Sequence, residues 1–137
     1  MFSKEYLTKL SDKSGFRHDS LQKQMMLLDL LREINRHPLL SKQFVLKGGT
    51  AINLFWFQLP RLSVDIDLNY IGNPDRETML KDRPKLEQEM KRLIQSRGIS
   101  VENAPADEHA GAKWRLRAPS AFGSEICIIN LTIFLRY

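Results

Sequence analysis

The sequence predicts an α+β domain, a mixed β-sheet with flanking helices. Three observations carry that class. Over residues 21–36, Leu21, Met25, Leu28, Leu31 and Ile34 recur at spacings of three and four, which puts them on one helical face. Over 64–71, Val64, Ile66, Leu68 and Tyr70 alternate with Asp65, Asp67 and Asn69, the period of a strand. Residues 125–135 form a near-continuous apolar run rich in β-branched side chains, which reads as a central strand covered on both faces.

The elements follow in order. Asp19 or Ser20 can cap the first helix, and Pro38 stops it soon after Arg36. Phe44–Lys47 reads as a short strand entering a tight turn at Gly48-Gly49. Residues 50–58 are dense in apolar and aromatic side chains, predicting a helix buried on most sides and ended by Pro60. The strand at 64–71 is closed by Gly72-Asn73-Pro74. A charged helix follows at 75–97, with Leu86, Met90, Leu93 and Ile94 as its buried stripe. Pro84 is expected to split it or begin its second part, because an interior proline costs about 3 kcal/mol, and Gly98 suits its carboxyl cap. Strands are expected at 99–102 and 113–118 before the apolar run. The chain stops just beyond that run, so we expect a single domain over 1–137 that is cut at its carboxyl end. Few apolar helical stripes are available to cover such a sheet, which predicts an exposed apolar patch met by self-association or by a missing segment.

Composition narrows the class further. At 137 residues, 42% hydrophobic and 27% charged, the chain can bury one core, which argues against disorder. The lone Cys127 excludes an internal disulfide and a four-thiolate zinc site. No apolar run approaches the ~20 residues that span a bilayer, and the amino terminus has no signal-peptide stretch. A soluble cytoplasmic protein without a membrane partner is expected. The net charge of +5 is spread over both halves, which allows contact with a polyanion without requiring it.

Asp65 and Asp67 are the sharpest chemical feature. Two residues apart on a strand, their side chains leave the same face with Cα atoms ~7 Å apart. Both carboxylates can then converge on a hard cation such as Mg²⁺. A bare Asp-x-Asp is more often a solvated strand face, so the context has to decide. Gly48, Gly49 and Thr50 supply some of it. Glycines let a backbone approach a ligand closely, and the amides at a helix start favour an anion such as phosphate. Alone, such a turn is more often only a turn, and it lacks Walker P-loop spacing. Lys113, Arg115 and Arg117 alternate with Trp114 and Leu116, giving three cations on one strand face. They read either as a contact for phosphate or RNA or as the solvated face of an edge strand. His18, His37 and His109 show no ligand spacing, and Cys127 reads as a packed core thiol.

Gly48-Gly49-Thr50, fourteen intervening residues and Asp65-x-Asp67, on strand–turn–helix–strand, resemble the signature of the DNA polymerase β-like nucleotidyltransferases. The fuller stretch, Phe44-Val-Leu-Lys-Gly-Gly-Thr-Ala-Ile-Asn-Leu-Phe and then Pro60-Arg-Leu-Ser-Val-Asp-Ile-Asp-Leu, resembles the AbiEii-type nucleotidyltransferases, toxins of bacterial abortive-infection toxin–antitoxin pairs. The resemblance covers residues 44–71. It implies a polymerase β-like catalytic domain that transfers a nucleotide from a nucleoside triphosphate to an acceptor. Asp65 and Asp67 would be the catalytic carboxylates, holding Mg²⁺ in a two-metal arrangement. Gly48, Gly49 and Thr50 would cradle the triphosphate, with Arg61 and Ser63 beside it. Lys113, Arg115 and Arg117 would meet triphosphate or RNA. An RNA acceptor such as tRNA and a protein antitoxin are the implied partners. The alternatives are transfer to a small molecule and a degenerate, non-catalytic binding module.

The family pattern asks for a third carboxylate on a neighbouring strand, and the aligned position holds Asn130. An amide can ligate a cation through its carbonyl oxygen but brings no charge and cannot act as a base. Glu125, the nearest acid, has the opposite parity on an uninterrupted strand.

Overall fold

The computed structural model describes residues 3–48, 64–103, 111–123 and 126–135. Helices α1 (Lys4–Ser14) and α2 (His18–Arg36) come first, followed by a 3-10 turn (Leu40–Lys42) and strands β1 (Phe44–Lys47) and β2 (Ile66–Tyr70). Helix α3 (Arg76–Ser96) and strands β3 (Ser100–Asn103), β4 (Gly111–Pro119) and β5 (Ile126–Phe134) complete it. The strands form one sheet in the order β1-β2-β5-β4-β3. Strands β2 and β5 run parallel, and the other neighbours are antiparallel. The α+β class and the mixed sheet agree with the sequence reading. The expected helix at 50–58 lies outside the described residues.

One face of the sheet is the core. Ile66 and Leu68 of β2, Trp114 and Leu116 of β4, and Ile129 and Leu131 of β5 are buried with Leu27 and Leu30 of α2 and Met90 and Ile94 of α3. Helix α2 packs on β5 and α3 on β3. At their solvent edge, Arg97 grips Asp29 of α2 with Nε and Nη2, each 2.9 Å from a carboxylate oxygen.

Strand β5 is central, yet its sides differ. Cys127, Ile129, Leu131 and Ile133 are buried, while Ile128, Asn130, Thr132 and Phe134 between them are only half-buried. The cover expected on both faces is therefore present but uneven. The apolar run conceals a two-residue period, and the side facing away from α2 and α3 belongs to the polar surface described below.

Three local expectations also change. Helix α2 buries Leu21, Met26, Leu27, Leu30 and Ile34, leaving Leu28 44% exposed. The doublets Met25-Met26, Leu27-Leu28 and Leu30-Leu31 satisfy two helical phases, and packing selects the second. Its amino-terminal cap is Arg17, with no side-chain cap, because Asp19 Oδ1 accepts from the adjacent Ser20 N–H at 2.9 Å. Helix α3 runs unbroken through Pro84. Pro84 and Leu80, one turn before it, are both exposed, so water can reach the carbonyl that proline leaves unbonded. The stripe of Met79, Leu86, Met90 and Ile94 stays buried on the other side. Its cap is Asp75, whose side chain accepts from Thr78 N–H at 3.0 Å, and Gly98 follows in the left-handed region at φ 75°.

Candidate functional site

The second face of the sheet carries the polar chemistry. Because Ile66, Leu68 and Tyr70 commit one side of β2 to the core, Asp67 and Asn69 take the other, with Asp65 just ahead of the strand on the same side. Register then assembles a row across four strands. Lys47 of β1 pairs with Asp67, Asp67 with Thr132 of β5, and Thr132 with Lys113 of β4. Two residues away, Asn130 pairs with Arg115, and Arg115 with Glu102 of β3.

Asn130 lies on the strand next to the carboxylates, and its Nδ2 is 3.5 Å from Asp65 Oδ1, a long contact aimed at the acid. The position aligned with the expected third carboxylate thus faces the pair. Glu125 lies outside the described residues. On the other side, Gly48 ends β1 with φ 81°, a left-handed backbone that suits glycine. A Cβ placed there would be 2.6 Å from Asp67 Oδ2, so the Asp67 carboxylate rests directly against the bare Cα. The start of the glycine turn and Asp67 are therefore adjacent.

The local field is mixed. The Asp67 carboxyl is raised above its ordinary value, first by burial and then by the neighbouring Asp65 charge, while Lys47 and Lys113 pull it the other way. Lys47 has a second engagement, its Nζ lying 3.6 Å from the centre of the Phe134 ring. Of the three alternating cations, Lys113 and Arg115 are exposed, whereas Arg117 Nε is 3.2 Å from Glu102 Oε1. Part of that charge is consumed within the sheet.

Two carboxylates converging on one side, with glycine instead of a side chain at Gly48, can accommodate a hard divalent cation in an oxygen-donor set. Among the described residues there is no cluster of three or more His, Cys, Asp or Glu that could hold a metal. The donor set fits an ion that takes its remaining ligands from amide, water or substrate oxygens.

Gly49, Thr50, Arg61, Ser63 and His109 lie outside the described residues. His18 stacks on Phe122 at 4.0 Å, and His37 Nδ1 accepts from Leu39 and Leu40 N–H, so both are structural. Cys127 is buried, and burial pushes its thiol up, consistent with an inert core residue. Sequence reasoning assigned no role to Lys47, Thr132 or Phe134. Their residue types are unremarkable, and only strand register places them beside Asp67.

No helix among the described residues is long and apolar enough to cross a membrane. The family model described as "Nucleotidyl transferase AbiEii toxin, Type IV TA system" matches residues 29–136, leaving α1 and the first half of α2 outside the match. No curated protein matches the chain. The match covers most of the sequence and contains both aspartates, the glycine turn and Asn130, so the chain belongs to the AbiEii nucleotidyltransferase toxin family of type IV toxin–antitoxin systems.

Proposed function

We propose that the chain transfers a nucleotide from a nucleoside triphosphate to an RNA acceptor such as tRNA, in a Mg²⁺-dependent reaction restrained by a protein antitoxin. The observation that carries this reading is the convergence of Asp65 and Asp67 on one sheet face, with Gly48 against Asp67 and Asn130 against Asp65. Asp65 and Asp67 would hold Mg²⁺, which when bound would neutralise triphosphate charge and make the α-phosphorus more open to attack. Gly48, Gly49 and Thr50 would cradle the phosphates, with Arg61 and Ser63 beside them. The acceptor hydroxyl would release its proton to water as its oxygen bonds to the α-phosphorus and the bond to the bridging oxygen breaks, releasing pyrophosphate. Catalysis of this kind is mostly positioning and charge neutralisation, which a rigid sheet face supplies well.

Among the described residues, Lys113 and Arg115 are the exposed cations of this face and would meet the acceptor backbone. Replacing both with Gln is expected to weaken tRNA retention and to lower the slope of log affinity against log salt by about 2. An unchanged slope would remove them from the RNA contact.

The function is tested by incubating the chain with tRNA, a mixture of small hydroxyl and amine acceptors, Mg²⁺ and each α-labelled nucleoside triphosphate in turn. Label is expected in tRNA. Label confined to small acceptors would establish the small-molecule alternative. Asn130 lends weight to a further reading, a chain that keeps the fold as a non-catalytic binding module. Nucleotide binding without transfer to any acceptor would favour it.

A further inference from the structure

We infer that Phe134, Asn69 and Val45 form the nucleobase subsite of this face, with the base stacked on the Phe134 ring and the Asn69 carbonyl oxygen accepting from an N–H on its edge. The inference rests on the nucleotidyl-transfer reading and adds to it the residues that tell a nucleotide from a bare triphosphate. It starts from register. Two residues along the strands from the row of Lys47, Asp67 and Thr132 lies a second row. There Val45 of β1 pairs with Asn69 of β2, Asn69 with Phe134 of β5, and Phe134 with Gly111 of β4. The two rows are about 7 Å apart, a gap that a ribose fills between phosphates at Gly48 and a base at Phe134.

The second row differs from the first in chemistry, since none of its side chains ionises. Phe44 and Leu46 pack toward the core, so Val45 takes the other side of β1, where it is 47% exposed and offers an apolar wall. Asn69 Oδ1 is buried without a hydrogen-bond partner among the described residues, an acceptor that a donor on a bound base would satisfy. The Phe134 ring presents its face to the site, because the Lys47 ammonium rests on it, 3.6 Å from the ring centre. A face that receives a cation also receives a base, and base stacking on an aromatic ring is generally stronger than an exposed cation–ring contact. Lys47 directly precedes Gly48, so a triphosphate at that turn offers its ammonium charged oxygens in exchange for the ring. Binding thus moves Lys47 from Phe134 to phosphate and frees the ring for the base.

The test measures, by calorimetry with Mg²⁺ present, the affinity of the full chain for inorganic tripolyphosphate and for each of the four ribonucleoside triphosphates. At least one nucleotide is expected to bind about tenfold or more tightly than tripolyphosphate. Phe134→Leu should remove most of that advantage without weakening tripolyphosphate, and Asn69→Ala should narrow the differences among the four bases. Lys47→Met should show the opposite pattern, weakening tripolyphosphate and nucleotides alike. Circular dichroism melts confirm that each variant is folded. If Phe134→Leu does not fold, Phe134→Trp decides: its added fluorescence should be quenched by nucleotide and not by tripolyphosphate, and an equal response to both would overturn the inference. So would equal affinities for nucleotides and tripolyphosphate in the unmodified chain, or a folded Phe134→Leu variant that keeps the full nucleotide advantage. Transfer activity is a separate readout. A nucleotide advantage that depends on Phe134, without transfer of label, would leave this inference standing and remove the proposed reaction. Transfer with an advantage untouched by Phe134→Leu would do the reverse.

Discussion

Asp67→Asn is expected to reduce nucleotide transfer by roughly a thousandfold or more, about 4 kcal/mol of transition-state stabilisation, while leaving the fold intact. The two effects separate because the carboxylate is held at a cost. Burial and the Asp65 charge raise the Asp67 carboxyl above its ordinary 3.8, so without a cation the folded chain binds that proton more tightly than the unfolded chain does. Below about pH 3.8 both states are protonated, and the group costs the fold nothing. The cost appears as pH rises through the folded value and is complete above it. Asparagine removes the charge, so in metal-free urea melts the variant should match the parent or exceed it, within about 1 kcal/mol, at neutral pH. Any advantage should shrink on acidification. Mg²⁺ should then stabilise the parent and leave the variant unchanged, because only an ion that binds the folded state shifts the equilibrium. A variant that melts several kcal/mol below the parent would assign Asp67 a structural role.

Gly48→Ala is expected to damage both stability and activity, in a way that a comparison with Gly98 isolates. Both glycines have positive φ, 81° and 75°. A Cβ at Gly98 meets nothing within 4 Å, so Gly98→Ala carries only the left-handed backbone penalty of about 1–2 kcal/mol. At Gly48 the same methyl would lie 2.6 Å from Asp67 Oδ2, and the carboxylate must move as well. Gly48→Ala should therefore cost more stability than Gly98→Ala and reduce transfer on the order of 100-fold, the scale of an ångström-sized misplacement at a reacting site. Combining Gly48→Ala with Asp67→Ala should recover the excess stability loss, since the atoms that clash are gone. Equal losses at the two glycines, with activity retained, would show that the close approach to Asp67 has no functional weight.

Much of this site could be read before the fold was known, because it depends on parity and punctuation. Ile66, Leu68 and Tyr70 set the buried side of β2, so Asp65 and Asp67 had to share the other. Gly98 and the Asp75 side of α3 follow local backbone rules that a sequence displays directly. What escaped depended on pairing partners far along the chain. Lys47 meets Asp67, and Arg117 meets Glu102, only because of strand register. Helix α1 is not legible in the sequence because Leu7 is its lone buried residue, so it offers no apolar stripe, although Ser3 and Gly15 mark its ends. Helix α2 is legible, but its buried face is not, since its apolar doublets support two phases about one residue apart. Pro84 misled for a different reason: a proline on the exposed side of a well-packed helix loses one hydrogen bond without interrupting the buried stripe.

The central claim is that this chain breaks a nucleoside triphosphate between its α- and β-phosphates and keeps the nucleotide on an acceptor. It is tested most directly by measuring, in one reaction of the unmodified chain with Mg²⁺ and tRNA, both the pyrophosphate released and the α-label retained on the acceptor. The account predicts equal amounts of the two, both abolished by chelating the metal. Orthophosphate release without retained label, or pyrophosphate release that continues unchanged in chelator, would contradict it.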